Sequence, residues 1–157
     1  LLAFSLVVYV FLHNLWSSVA RTFAALMAFV SIVYATDIML SSNSLEGISQ
    51  IAWLRFQWIG IALVPAAYLH FSDALLRTTN AYSQRRRIVM ALSYLIGAVI
   101  AGLALFTDTI VKNEVNYEPW APQLAPGPGF WGFVFYFFLT SGWGFAKRPR
   151  HSISSWP

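Results

Sequence analysis

Residues 51–76 read IAWLRFQWIGIALVPAAYLHFSDALL, and this stretch decides the architecture. Only Arg55 and Asp73 carry a full charge in it, and it is longer than the about 20 apolar residues that cross about 30 Å of hydrocarbon. It does not alternate polar with apolar residues, as a barrel strand of about 9–11 residues would. It is therefore read as a membrane-spanning helix. Further apolar stretches lie at 1–12, 22–40, 88–106 and 130–146. The first is short and begins apolar, without Met or a charged leader, so it reads as a span whose beginning is missing rather than a signal peptide. The expected fold is all-α: a polytopic helical membrane bundle of about five spans, followed by a basic tail at 147–157.

Composition agrees. Apolar residues make up 58% of the 157, charged residues only 10%, against roughly 25% in soluble domains. Too few polar side chains exist to cover a water-facing surface of this size. With no cysteine in the chain, disulfides, Cys-ligated zinc, iron–sulfur clusters and thiol catalysis are excluded. The net charge of +4 gains meaning from where the cations sit.

Arg21 follows the first span. Arg77 and the run Arg85, Arg86, Arg87 follow the third, and Lys147, Arg148 and Arg150 follow the fifth. The alternate loops carry Glu46, Asp108, Glu114 and Glu118 against Lys112 alone. Positive residues favour the cytoplasmic side, so the amino end is expected outside and the carboxyl end in the cytoplasm of an inner (plasma) membrane protein. Arg85, Arg86, Arg87, Lys147 and Arg148 read as topology anchors, with a contact to acidic lipid or a partner as the lesser alternative. No aromatic-interleaved basic surface accompanies them, so nucleic acid is not an expected partner.

The longest connection, from Asp108 to Gly129, contains four prolines, which rule out a regular helix. Its Tyr117 and Trp120 argue for order, either on the membrane interface or over the mouth of the bundle.

Ionisable residues in a bilayer cost about 2.5–3.5 kcal/mol at its centre, so each needs a partner or a task. Asp37, late in the second span, and Arg55, early in the third, are expected at similar depth. An ion pair between them is the cheapest arrangement, with a ligand-facing or proton-sensing carboxylate as the alternative. His70 and Asp73 share a helical face, and a hydrogen bond from His70 to Asp73 or to backbone is favoured. Ligation of a haem or chlorophyll-type pigment by His70 and His13 is the weaker reading, because His13 falls towards a loop. Pro65 is expected to kink the third span and offers a hinge. Close helix contact is allowed by Gly97/Ala101 and Ala98/Gly102. The sequence holds no nucleophile–base pair, HExxH or phosphate loop, and so shows no enzymatic constellation.

Trp53-Leu54-Arg55-Phe56-Gln57-Trp58-Ile59-Gly60-Ile61-Ala62-Leu63-Val64-Pro65, continuing to Tyr68-Leu69-His70-Phe71, resembles the third span of the seven-transmembrane sensor region at the amino end of bacterial histidine kinases. Related signalling proteins such as diguanylate cyclases carry the same region. Tyr9-Val10-Phe11, Arg21-Thr22-Phe23-Ala24, Ser93-Tyr94-Leu95, Phe106-Thr107-Asp108 and Pro126-Gly127-Pro128-Gly129-Phe130 agree in order. The resemblance covers about the first five spans of seven. It implies a sensory input module that couples an external or membrane stimulus to a cytoplasmic output in a two-component system. Its partners would be the bilayer and a cytoplasmic signalling domain, with homodimerisation open. The alternative is an accessory or scaffold subunit of a respiratory or photosynthetic membrane complex, derived from such a region. Transport is a third reading, weakened by the lack of polar residues near mid-membrane.

Overall fold

Long runs of Leu, Ile, Val, Ala and Phe satisfy their backbone polar groups internally only as helices when no water is at hand. The computed structural model describes residues 5, 9, 17–41, 48–77, 84–117 and 122–145. It shows helices α1 (Ser18–Ser41), α2 (Ile48–Arg77), α3 (Gln84–Phe106) and α4 (Phe130–Phe145). The second to fifth expected spans thus form as helices, each within a few residues of its sequence-based bounds. Ser5 and Tyr9 are also helical; the rest of the expected first span, His13 and the tail at 147–157 lie outside the described residues. Helices α1, α2 and α3 are long and apolar enough to cross a membrane. With 30 residues, α2 is about 45 Å long, whereas α4 with 16 reaches only about 24 Å.

The all-α expectation is corrected between α3 and α4. Strands β1 (Val111–Tyr117) and β2 (Pro122–Pro126) pair antiparallel, so the chain is mostly helical and carries a two-stranded sheet. Prolines do exclude helix here, but they tolerate a strand that needs few ladder bonds. Pro122 and Pro126 stand at the two ends of β2. Val111, Val115 and Tyr117 supply alternate β-forming positions in β1. Val115 pairs with Leu124 and Tyr117 with Pro122, and the register shifts between Val111 and Val115. Gly127 and Gly129 then close the hairpin onto the end of α3, donating to Ile110 O (2.8 Å) and Thr109 O (2.7 Å).

Helix α2 is the axis of the molecule. It packs against α1, α3 and α4 and touches β2. Lipid tails give helices no hydrophobic reason to associate, so small residues and close backbone approach do the work. Ala62, Ala66 and Ala67 of α2 are fully buried. A Cβ on Gly60 would lie 2.7 Å from Phe29 O of α1, and one on Gly97 of α3 would lie 2.9 Å from Ala62 O. Of the two small-residue pairs in α3, Gly97 and Ala101 lie in the contact. Gly102 has open space around it and Ala98 is exposed. Helix α2 remains helical through the buried Pro65, whose missing N–H deprives Ile61 O of its usual donor.

Several buried hydroxyls turn back on their own helices, while the buried Ser31 Oγ finds no partner among the described residues. Thr36 donates to Ile32 O (2.9 Å), Ser93 to Val89 O (2.9 Å) and Thr140 to Tyr136 O (2.8 Å). Tyr136 instead crosses from α4 to donate to Ser93 O of α3 at 3.0 Å.

Because its nearest neighbour is a backbone oxygen that cannot swing aside, Gly60→Ala should destabilise the bundle by about 1–3 kcal/mol. Gly102→Ala should leave it unchanged or slightly more stable. Thermal unfolding of both variants in mild detergent, followed by circular dichroism, measures the contrast.

Candidate functional site

A helix ends with carbonyls that have no intrahelical donor, and a cation near that end satisfies both their hydrogen bonding and the helix dipole. The carboxyl end of α3 is completed in this way by a residue from another helix. Nη1 of Arg55, in α2, donates to Ala104 O (2.8 Å), Leu105 O (3.1 Å) and Thr107 O (3.0 Å). Its Nη2 forms an ion pair with Asp108, and its Nε donates to Asn113 Oδ1 at 3.0 Å. Asn113 lies within the stretch where the β1 register shifts, so that irregularity coincides with the contact to Arg55. The Arg55 side chain is only 11% exposed, while that of Asp108 is 62% exposed. One guanidinium fork therefore joins α2, the end of α3 and the hairpin.

The expected Asp37–Arg55 ion pair is corrected by this geometry. Arg55 turns towards α3, and Asp37 accepts a hydrogen bond from Gln57 Nε2 at 2.6 Å. Gln57 is the α2 residue whose side chain reaches Asp37 of α1. The carbonyls of α3, far off in sequence, offered Arg55 more acceptors than one carboxylate could.

Beneath the hairpin lies a cavity of about 470 Å³. Asp37 of α1 and Leu54, Gln57, Trp58 and Ile61 of α2 line one part of it. Pro122, Gln123, Leu124 and Pro126 of β2 and Phe130 of α4 complete the lining. Trp58 meets Phe133 edge-on with ring centres 5.1 Å apart, and Phe130 at 6.2 Å. Such T-shaped contacts hold the indole in a fixed orientation. The cavity ends at Ile61, one helical turn before Pro65.

The remaining expected site residues are dispersed. His70, nearer the other end of α2, places Nδ1 3.3 Å from the hydroxyl of Tyr94 in α3, with the rings perpendicular, a contact across to α3 that the sequence reading does not name. Asp73 accepts from Arg77 Nε, one turn on, at 2.8 Å. Tyr117 ends β1, and Trp120 lies outside the described residues. Arg85, Arg86 and Arg87 stand in the first turn of α3, where the helix dipole disfavours cations. Lys147 and Arg148 lie outside the described residues. Sequence reasoning missed Asp108, Asn113 and Gln57 as partners. The available signal was the Thr107-Asp108 sequence directly after an apolar span, where helix carbonyls need a donor.

Three helices long and apolar enough to cross a membrane mark a multi-pass membrane protein. The chain matches, over residues 1–154, the family described as the N-terminal 7TM region of histidine kinase, and it belongs to that family. Membership makes it a membrane sensor region, which implies signalling input and covers no kinase domain. Neither the comparison with curated proteins nor that with solved structures gives a match.

Arg55→Leu should cost about 3–5 kcal/mol, since it strips a nearly buried cation from several acceptors. Asp108→Asn, at an exposed position, should cost less than about 1 kcal/mol. Asp37→Asn combined with Arg55→Leu should be additive. Denaturant unfolding of the single and double variants checks all three, and faster amide exchange along β1 in Arg55→Leu checks the link to the hairpin.

Proposed function

We propose that the chain is a membrane-embedded sensory input module that couples an external or membrane stimulus to a cytoplasmic signalling output. In this reading it lies in the inner membrane of a bacterium, with its amino end outside, its carboxyl end in the cytoplasm and the hairpin facing outward. The charge distribution of the loops supports that orientation. The observation that carries the proposal is the position of Arg55 on the same helix that packs against α1, α3 and α4.

A displacement of the hairpin or of the end of α3 acts directly on the Arg55 guanidinium. Helix α2 then transmits it along a row of fully buried small residues, past Pro65, towards Asp73 and Arg77. Packed cores respond to such displacements by shifting between discrete arrangements rather than deforming smoothly. Pro65 weakens the helix between the cavity and the far end and provides the place where α2 can bend. The stimulus would thus be received at the hairpin end, and Arg77 lies close to where an output domain would attach.

One observation favours the second reading, an accessory subunit of a larger complex. Trp131, Phe135 and Phe138 of α4 are 77%, 71% and 69% exposed, and their spacing sets them along one face. That stripe suits lipid, and it equally suits a neighbouring helix or pigment tail.

Isolation of the native polypeptide from its membrane, with crosslinked partners, separates the readings. A kinase or cyclase-type output on the same chain, or bound to it, is expected. Recovery within a respiratory or photosynthetic assembly without any signalling domain would overturn the sensor reading. Where an output is recovered, Arg55→Leu should change its basal activity severalfold in intact membranes.

A further inference from the structure

The cavity beneath the hairpin contains a carboxyl group that has no cationic partner among the described residues. Asp37 is half-buried in its wall, yet its carboxylate accepts only from the neutral Gln57 amide among the described residues. A carboxylate has about four acceptor sites on its two oxygens, and one protein donor leaves most of them open. Arg55, the nearest expected cation, is fully engaged by α3, Asp108 and Asn113. Partly buried carboxylates are stabilised by a cation, and the described protein provides none at this point. The rest of the lining is mostly apolar, with Leu54, Trp58, Leu124 and Phe130 around the space. The volume falls within the about 300–1,000 Å³ of small-molecule sites.

From these features we infer that the cavity binds a small organic ammonium ion. Its charged nitrogen pairs with the Asp37 carboxylate, and its apolar body lies among Leu54, Trp58, Leu124 and Phe130. Aromatic faces attract ammonium groups, which makes Trp58 and Phe130 compatible with the cation as well as with its hydrocarbon. Gln57 holds Asp37 in place and can offer its side-chain carbonyl to a second N–H. The site touches α1, α2, β2 and α4 at once, so an occupant bridges the hairpin to the bundle. Its biological meaning as a stimulus rests on the sensor reading; the binding itself does not.

The same chemistry is available from a soluble amine or from the ammonium headgroup of a lipid. The test uses the full chain in nanodiscs of phosphatidylglycerol, which has no ammonium group. Calorimetric titrations with phenethylammonium, benzyltrimethylammonium and octylammonium are compared with 2-phenylethanol and 3-phenylpropionate. At least one cation should bind, with neutral and anionic analogues weaker by about tenfold or more. Asp37→Asn, which can still accept from Gln57, should erase that preference. Leu124→Trp, which fills the cavity from the hairpin side, should weaken every binder.

A soluble cation displaced when phosphatidylethanolamine is added to the discs would support the ammonium site and assign its natural occupant to lipid. Absence of binding by all three cations would overturn the proposal, as would a preference unchanged in Asp37→Asn or equal binding of the anion. These assays need no signalling output, so failure of the site and failure of the sensor reading give separate results.

Discussion

The open carbonyls at the end of α3 are the constraint from which the hairpin end is built. Arg55, whose side chain is only 11% exposed, covers these carbonyls, so they are satisfied from within the protein. Arg55 supplies donors to three of them from a neighbouring helix. Because the guanidinium has further N–H groups in a fixed plane, satisfying the carbonyls also aims it at Asp108 and Asn113. The end of one helix, the rotation of another and the seat of the hairpin are thereby set by one side chain. A lysine could supply charge at that position but not the fork.

Packing within the bundle follows a different rule. The helices meet where side chains are smallest, with Gly60 against α1 and Gly97 against α2. The hydroxyls of Thr36, Ser93 and Thr140 bond their own helices, and Tyr136 spends its hydroxyl on a cross-helix bond to Ser93 O. Trp131, Phe135 and Phe138 of α4 point away from this interior, whereas Phe133 and Tyr136 are buried in it. Size decides the contacts inside the bundle, whereas hydrogen-bond capacity decides the structure at its hairpin end.

This division explains what could be read from the sequence. Helices depend on local apolar length, so α1 to α4 were legible within a few residues. Small residues at four-residue spacing point to Gly97/Ala101 and Ala98/Gly102 alike, and only the first pair lies in a contact. The partner of Arg55 was not legible. Adjacent spans suggested Asp37, but the acceptors that prevail lie about fifty residues away and are mainly backbone, which composition does not display. The hairpin was hidden for a related reason: its prolines mask a strand by propensity, while the pairing of Val115 with Leu124 is a tertiary fact. Asp37 is legible as a charge that needs a partner, and Gln57 as that partner is not. Depth can be inferred from a hydropathy profile, but helix rotation cannot.

The length of α2 has a further consequence. At about 45 Å it exceeds a hydrocarbon slab of about 30 Å by several helical turns, and a tilt of about 20° absorbs only a small part of the excess. Some of α2 must therefore stand clear of the lipid tails. The Trp53–Arg55 region beside the hairpin is suited to do so, because a guanidinium and an indole both prefer the headgroup layer. A thicker or thinner bilayer changes how much of that overhang is submerged.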